Sequence, residues 1–136
     1  MAKDTNITLT VDTASITEST KNTAVVFSDD RGDAAETPGD PANYVSSVNK
    51  NYKVIWTGVG KDNVGTVQIT NVSKEGGSEI MTNIKQTPNN SMTWQAKIKP
   101  DASDNDEESY TITIKVNNDS SKVFTIDPKL RISTTQ

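Results

Sequence analysis

The chain of 136 residues carries 18 acidic and 14 basic side chains, and it contains neither histidine nor cysteine. It therefore lacks the usual proton shuttle at neutral pH, thiol nucleophiles, disulfides, and the nitrogen and sulfur ligands of zinc sites. The formal net charge of −4 and the pI near 4.8 give the wrong sign of field for nucleic acid, so we expect no nucleic-acid partner. No apolar run approaches the ~18 residues of a membrane helix, so we also expect no membrane span.

The apolar residue types favour strands over helices. Isoleucine and valine together number 23, whereas leucine numbers only 2. β-Branched side chains fit the pleated sheet, and the many threonine, serine and asparagine residues suit half-exposed strands and turns. The composition predicts an all-β protein, and the length predicts a single domain over residues 1–136.

Period-2 alternation of apolar and polar residues recurs along the chain. In chain order, the candidate strands are Ile7–Val11, Ala24–Phe27, Tyr52–Thr57, Val64–Val72, Glu79–Ile84, Met92–Lys99, Tyr110–Val116, Val123–Ile126 and Leu130–Ile132, of which Glu79–Ile84 is a weaker candidate. The last two are separated by Asp127-Pro128, where proline interrupts the strand because it lacks a backbone donor. The spacing predicts a two-sheet antiparallel β-sandwich of immunoglobulin-like or jelly-roll type, with seven to eight short strands.

Two acidic loops interrupt the strand pattern. The first covers about residues 28–43 and contains five acidic residues and one basic residue, Arg31. The second covers about residues 101–109. Closely spaced carboxylates suit calcium, which takes six to eight oxygen ligands. The candidate ligands are Asp101, Asp104, Asp106, Glu107 and Glu108, joined by Asp29, Asp30 and Asp33 if both loops lie at one end of the sandwich. The alternative is a solvated hairpin loop that keeps the protein soluble and blunts a sheet edge.

Three other motifs have a structural and a functional interpretation. The triplet Arg31-Gly32-Asp33 matches an integrin-attachment motif, although an acidic, glycine-rich loop produces it readily by chance. Trp56 and Trp94 could stack on carbohydrate if exposed, but each shares its alternation face with apolar residues, which favours the core. A nucleophile elbow and a phosphate-binding loop are both absent from the sequence, so we expect no enzyme activity.

The order of several short motifs resembles the AidA/PixA family of bacterial inclusion-body proteins. These motifs are Val11-Asp12-Thr13, Asn51–Trp56, Val67–Val72, Trp94-Gln95-Ala96, Glu108–Ile112 and Phe124–Leu130. Members of that family typically lead a first strand into an Asp-Thr pair, carry a tryptophan strand mid-chain and close on an aromatic-x-x-Asp-Pro segment. This chain is shorter and poorer in aromatic residues than usual members, which makes it a distant member.

The resemblance implies a small cytoplasmic β-sandwich that accumulates and self-associates into inclusions, and it transfers no catalytic residues. We therefore predict a homo-oligomer, fibre or crystal formed through edge or terminal strands, in particular Lys3–Asp12 and Leu130–Gln136. The start of the chain, Met1–Asp4, shows no classical signal peptide, so export would need a route without a cleavable signal. The alternative hypothesis is a carbohydrate- or calcium-binding module that uses the acidic loops, with a tryptophan as a further candidate contact.

Overall fold

The computed structural model describes residues 3–31, 44–87 and 93–133. Ten strands lie in these ranges, with one short helix and one 3-10 turn. They are β1 Thr5–Val11, α1 Lys21–Ala24, β2 Val25–Asp29, β3 Val45–Val48, β4 Lys53–Gly60, the 3-10 turn Lys61–Asn63, β5 Val67–Gly77, β6 Met81–Gln86, β7 Thr93–Ile98, β8 Glu107–Val116, β9 Val123–Ile126 and β10 Lys129–Ile132. The all-β prediction is confirmed. The predicted number of seven to eight strands is too low, because Val45–Val48 was not recognised and the weaker candidate Glu79–Ile84 also contributes to a strand, β6.

The strands form two five-stranded sheets. Sheet A has the order β2-β1-β4-β7-β6, and sheet B has the order β3-β10-β8-β5, with β9 also paired to β8. Strands β9 and β10 lie on the same side of β8, on either side of the predicted interruption at Asp127-Pro128. The two-sheet sandwich is therefore confirmed.

The expectation that every strand pair is antiparallel is wrong for two pairs. Strand β1 runs parallel to β4, and β3 runs parallel to β10. The chain crosses from sheet B to sheet A between Val48 and Lys53, and β4 lies beside β1 in the same direction. Alternation cannot reveal this, since it reports which face a side chain occupies and not the direction of the neighbouring strand.

The terminal strands do not form the sheet edges. Strand β1 lies between β2 and β4, and β10 lies between β3 and β8. The prediction that Lys3–Asp12 and Leu130–Gln136 provide edge strands is therefore wrong for β1 and β10, while residues 134–136 lie outside the described ranges. In both strands the inward side chains of the alternation are buried, and each strand has a neighbouring strand on both sides.

The core lies between the two sheets and is built from the inward side of each alternation. On β8, for example, every second residue from Glu108 to Val116 is buried. Close approach of the sheets depends on Gly58 of β4, because a Cβ atom there would lie 2.5 Å from Cγ1 of Val67. None of the helices in the described ranges is long and apolar enough to cross a membrane.

Candidate functional site

The carboxylates of the second acidic loop do not converge on one point. Asp104 forms an ion pair with Lys50 at 2.9 Å, and the carboxylate of Asp106 accepts a hydrogen bond from the backbone N–H of Ser103 at 3.0 Å. Asp101 is exposed at the start of the loop. Asp104 and Asp106 thus make separate local contacts.

Glu107 and Glu108 point to opposite faces of sheet B because they are neighbours on β8. The carboxylate of Glu107 accepts hydrogen bonds from the guanidinium of Arg131 on the outer face. Glu108 is only 1% exposed, and its Oε1 accepts the backbone N–H groups of Ile80 and Met81 at 3.1 and 3.0 Å. Glu108 therefore joins sheet B to the start of β6 in sheet A.

Burial raises the pKa of Glu108, although the two backbone hydrogen bonds act in the opposite direction. A carboxylate transferred from water into a protein interior loses hydration, which disfavours its charged form. The hydrogen bonds of Ile80 and Met81 offset part of that cost. Glu108 is thus a structural group between the sheets and is not available to a loop-bound cation.

The first acidic loop begins with two carboxylates that also have protein partners. Oδ2 of Asp29 accepts hydrogen bonds from the hydroxyls of Tyr44 at 2.6 Å and Ser46 at 2.9 Å. Asp30 accepts the backbone and side-chain N–H groups of Asn6 at 2.9 and 2.7 Å. Burial acts to raise the pKa of Asp30, but these hydrogen bonds together with the nearby charge of Lys3 lower it. Asp33 lies outside the described residues.

Among the described residues, no group of three acidic side chains is placed to hold a metal ion. The calcium site stays a prediction, because Asp33 and much of the first loop lie outside those residues. The structure instead places Glu108 in the sandwich interior, Asp29 half-buried against Tyr44 and Ser46, and the other described candidates at separate surface positions.

Arg31, the first residue of the Arg-Gly-Asp triplet, is buried with only 5% of its surface exposed. Its guanidinium donates to the carbonyl of Lys3 at 3.0 Å, to the hydroxyl of Thr5 at 3.2 Å and to Oδ1 of Asn49 at 2.6 Å. Asn49 in turn donates to the carbonyl of Ser133 at 2.7 Å, which extends the network to the end of β10. This arginine holds the two sheets together and does not present a surface attachment motif.

The two tryptophans differ in burial. Trp56 is completely buried, and its indole N–H donates to the hydroxyl of Tyr110 at 3.0 Å. Trp94, which pairs with Trp56 in the β4–β7 register, is only partly buried and packs against the core. The core interpretation therefore holds fully for Trp56, while Trp94 keeps part of its ring at the surface.

Two open depressions flank the β1–β2 connection at one end of the sandwich. One has a volume of about 230 Å³ and is lined mainly by Asp12, Thr13, Lys61 and Asp62. The other, of about 320 Å³, lies between Ile16–Glu18 and Ser121–Phe124. Hydrogen bonding from the Ser15 side chain lowers the pKa of Asp12, so its carboxylate is held in the charged form.

Three sheet edges carry features that discourage pairing with another chain. The carbonyl of Ser47 on β3 accepts a hydrogen bond from the Thr5 hydroxyl at 2.8 Å. Strand β5 has register shifts after Ile69 and after Lys74, and β6 has one between Thr82 and Lys85. Bulges twist an edge and break its regular row of hydrogen-bonding groups, so these strands are poor templates for strand addition.

A family model described as a domain of unknown function, DUF8788, matches residues 3–122. The chain belongs to this family. No curated protein matches the chain. Membership fixes the family without assigning an activity to any residue.

The solved structures show similarity in fold. The chain is similar to the inclusion body protein PixA from Burkholderia cenocepacia, with a TM-score of 0.67, 13% identity and coverage of 98% of this chain and 97% of that chain. Similarity to a nucleoside hydrolase-related hypothetical protein from Saccharophagus degradans reaches a TM-score of only 0.44 at 11% identity, covering 74% of this chain and 24% of that chain. The resemblance stated from the sequence thus holds for the fold, whereas the matching family model is DUF8788.

Sequence reasoning missed the polar contacts that join the two sheets, although the signal was present. Glu108 lies in phase with the inward residues Tyr110 and Ile112, and Asp29 lies in phase with Val25 and Phe27. Grouping these carboxylates by their charge placed them in loops. Extending the alternation of apolar residues by two positions on each strand would have placed Glu108 and Asp29 on the inward side.

Proposed function

We propose that this protein is a non-catalytic structural protein whose copies associate with one another and accumulate as cytoplasmic inclusions. One observation carries the proposal: the fold matches that of an inclusion body protein over 98% of this chain. The sequence adds the lack of histidine and cysteine, which removes the commonest catalytic groups.

The described surface supports a structural role over an enzymatic one. The depression around Asp12 contains a carboxylate whose pKa is lowered by its hydrogen bond from Ser15. A general acid or base working near neutral pH needs the opposite shift for a carboxylate. The more buried carboxylate, Glu108, is engaged by two backbone N–H groups and lies between the sheets.

The partner we propose is another copy of this chain, in place of a carbohydrate or a calcium ion. The edge strands β3, β5 and β6 carry features that oppose strand addition, so uncontrolled edge pairing is disfavoured. Ordered inclusions require contacts that repeat without driving random aggregation. A folded sandwich with blunted edges fits that requirement.

Light scattering and negative-stain microscopy over a concentration series test the proposal. We expect the average mass to rise with protein concentration and ordered assemblies to form at the highest concentrations, both in EDTA and in millimolar calcium. A thermal melt of the same samples establishes that the assembled protein is folded. A monomer at every concentration in both buffers would contradict the proposal. Assembly only in calcium would indicate that the acidic loops bind calcium.

A further inference from the structure

The chain passes from sheet B to sheet A a second time through residues 78–80, which we call the crossover. It joins β5, at one edge of sheet B, to β6, at one edge of sheet A. The crossover follows Gly77, whose φ of +83° favours glycine. A Cβ atom at Gly77 would lie 2.6 Å from the carbonyl oxygen of Glu107, so the chain here runs directly against the start of β8.

Three hydrogen bonds fasten the crossover and the first residue of β6 to β8. The backbone N–H of Ser78 donates to the carbonyl of Glu107 at 2.8 Å. The backbone N–H groups of Ile80 and Met81 both donate to Oε1 of Glu108, at 3.1 and 3.0 Å. One buried carboxylate therefore accepts two of the three bonds, and its state decides how firmly the crossover is held.

Opening of the crossover would change few contacts outside this corner of the sandwich. Ile80 is 1% exposed, and Met81 pairs with Ile98 of β7. A local opening would withdraw Ile80 from the core, free the start of β6 and bring water to Glu108. Segments at a sheet edge can open in this way while the central strands stay folded, because fewer buried contacts hold them.

The charged groups near Glu108 come from β5, the crossover and the end of β7. Lys74 on β5 favours the ionised form of Glu108, whereas Glu79 in the crossover opposes it. The carboxylate of Glu79 lies 3.9 Å from the ammonium groups of both Lys74 and Lys99, which partly neutralise it. On β10 the residue opposite Glu108 is the uncharged Leu130.

The other titratable group on the inner face of β8 is Tyr110, two residues from Glu108. Burial raises the pKa of the Tyr110 hydroxyl well above its ordinary value, so it stays protonated while Glu108 titrates. Burial is also the largest influence on Glu108 and raises its pKa, despite its hydrogen bonds and the charge of Lys74.

We propose that Glu108 is a latch that keeps the crossover closed when protonated and lets it open locally when ionised, while the rest of the sandwich stays folded. In the open form the carboxylate is hydrated, and its ordinary pKa is 4.5. The closed form holds the proton more tightly, because Glu108 is buried there. Rising pH therefore weakens the closed form between 4.5 and the higher pKa of the closed form, and acid strengthens it. The inference does not depend on self-association.

Amide hydrogen exchange followed by NMR on the full chain tests whether the opening is local. The N–H groups of Ile80 and Met81 report the crossover, and the N–H of Ile114, on the buried face of β8, reports global unfolding. After correction for intrinsic exchange rates, we expect Ile80 and Met81 to exchange at least about tenfold faster than Ile114 at neutral pH. Equal protection of all three groups at every pH would overturn the local opening, and this comparison needs only the wild-type chain.

The variant Glu108→Gln tests whether Glu108 is the group that senses pH. Glutamine keeps an acceptor but has no proton to lose, and comparison with wild type at each pH cancels the intrinsic pH dependence of exchange. The wild-type rate at Ile80 and Met81, divided by the Glu108→Gln rate, should rise with pH above 4.5, by up to about tenfold for each pH unit.

The matched control is Glu107→Gln, which removes a carboxylate one residue away. That carboxylate contacts Arg131 on the outer face of sheet B, so this variant should keep the wild-type pH dependence at Ile80 and Met81. A ratio between wild type and Glu108→Gln that does not change with pH would overturn the latch. Loss of the pH dependence in Glu107→Gln as well would also overturn it, because the response would then not belong to Glu108.

Discussion

Trp56 and Tyr110 join the two sheets at the centre of the core through a single hydrogen bond of 3.0 Å. Both side chains are completely buried, and their ring centroids lie 5.4 Å apart with the planes tilted by 56°. Burial raises the pKa of the Tyr110 hydroxyl well above its ordinary value, so it stays protonated. The bond satisfies the only polar atom of the Trp56 side chain inside an apolar environment.

Replacing Tyr110 with phenylalanine should destabilise the fold without a change in shape. The substitution leaves the Trp56 N–H without its acceptor, which costs about 1–3 kcal/mol for a buried donor. Urea unfolding followed by tryptophan fluorescence measures the loss. Tyr52→Phe is the matched control, because Tyr52 is 40% exposed and its substitution should change stability by less than about 0.5 kcal/mol. Equal stability of Tyr110→Phe and wild type would show that the bond contributes nothing.

The variants Glu108→Ala and Glu108→Gln distinguish the effect of the Glu108 hydrogen bonds on stability from the effect of its charge. Alanine leaves the N–H groups of Ile80 and Met81 without an acceptor, and we expect a loss of about 2–4 kcal/mol. Glutamine keeps a carbonyl oxygen that can accept both groups and removes the buried charge. It should therefore be clearly more stable than alanine in urea unfolding at neutral pH. Equal losses for the two variants would show that the backbone hydrogen bonds are unimportant.

The pH dependence of the same variants follows from the raised pKa of Glu108. As the pH rises above the ordinary value of 4.5, the unfolded chain releases this proton before the folded chain does. The free energy of unfolding of the wild-type chain therefore decreases as the pH rises from 4.5 to the higher pKa of Glu108 in the folded chain. Glu108→Gln has no such proton, so its stability relative to wild type should increase with pH over that window. A difference independent of pH would contradict the raised pKa.

The sequence predicted the strands and the inward faces better than their arrangement. Alternation identified β1, β4, β7 and β8, since the side-chain period of two is a local property. The parallel pairs depend on which sheet the chain enters after each loop, and that is decided by contacts far apart in sequence.

The candidate metal site shows the limit of grouping residues by charge. Glu107 and Glu108 are adjacent in sequence but occupy opposite faces of β8. One contacts Arg131 at the surface, and the other contacts backbone groups of the opposite sheet. A pair that looked like two ligands of one cation is separated by the geometry of the strand.

The variant Arg31→Met should unfold at a lower urea concentration than the matched surface variant Arg131→Met. Arg31 donates to Lys3, Thr5 and Asn49 in a buried site, and its loss removes this donor from all three oxygen atoms. Oδ1 of Asn49 keeps the backbone N–H of Lys3, at 3.1 Å. We expect a cost of about 2–4 kcal/mol. Arg131 contacts Glu107 at the surface, where an ion pair contributes less than about 1 kcal/mol. Similar losses for the two variants would contradict the proposed role of the buried arginine.

Gly58→Ala should strain the contact between the two sheets. A Cβ atom at this position would lie 2.5 Å from Cγ1 of Val67 and 3.2 Å from its carbonyl oxygen, so one strand has to move. Overpacking of this kind costs about 1–3 kcal/mol. Gly76→Ala is the matched control on β5, where no atom lies within 4 Å of an added Cβ, and its stability should equal or exceed that of wild type.

A double-mutant cycle with Val67→Ala identifies the clash as the cause of the Gly58→Ala loss. Val67→Ala alone should be destabilising because it opens space in the core. The double variant should lose less stability than the sum of the two single losses, since removing Cγ1 creates room for the new methyl group. The rescue should be partial, because Cβ of Val67 remains 3.0 Å from the added atom. Additive losses in urea unfolding would mean that Gly58 is needed for its backbone and not for the close approach of the sheets.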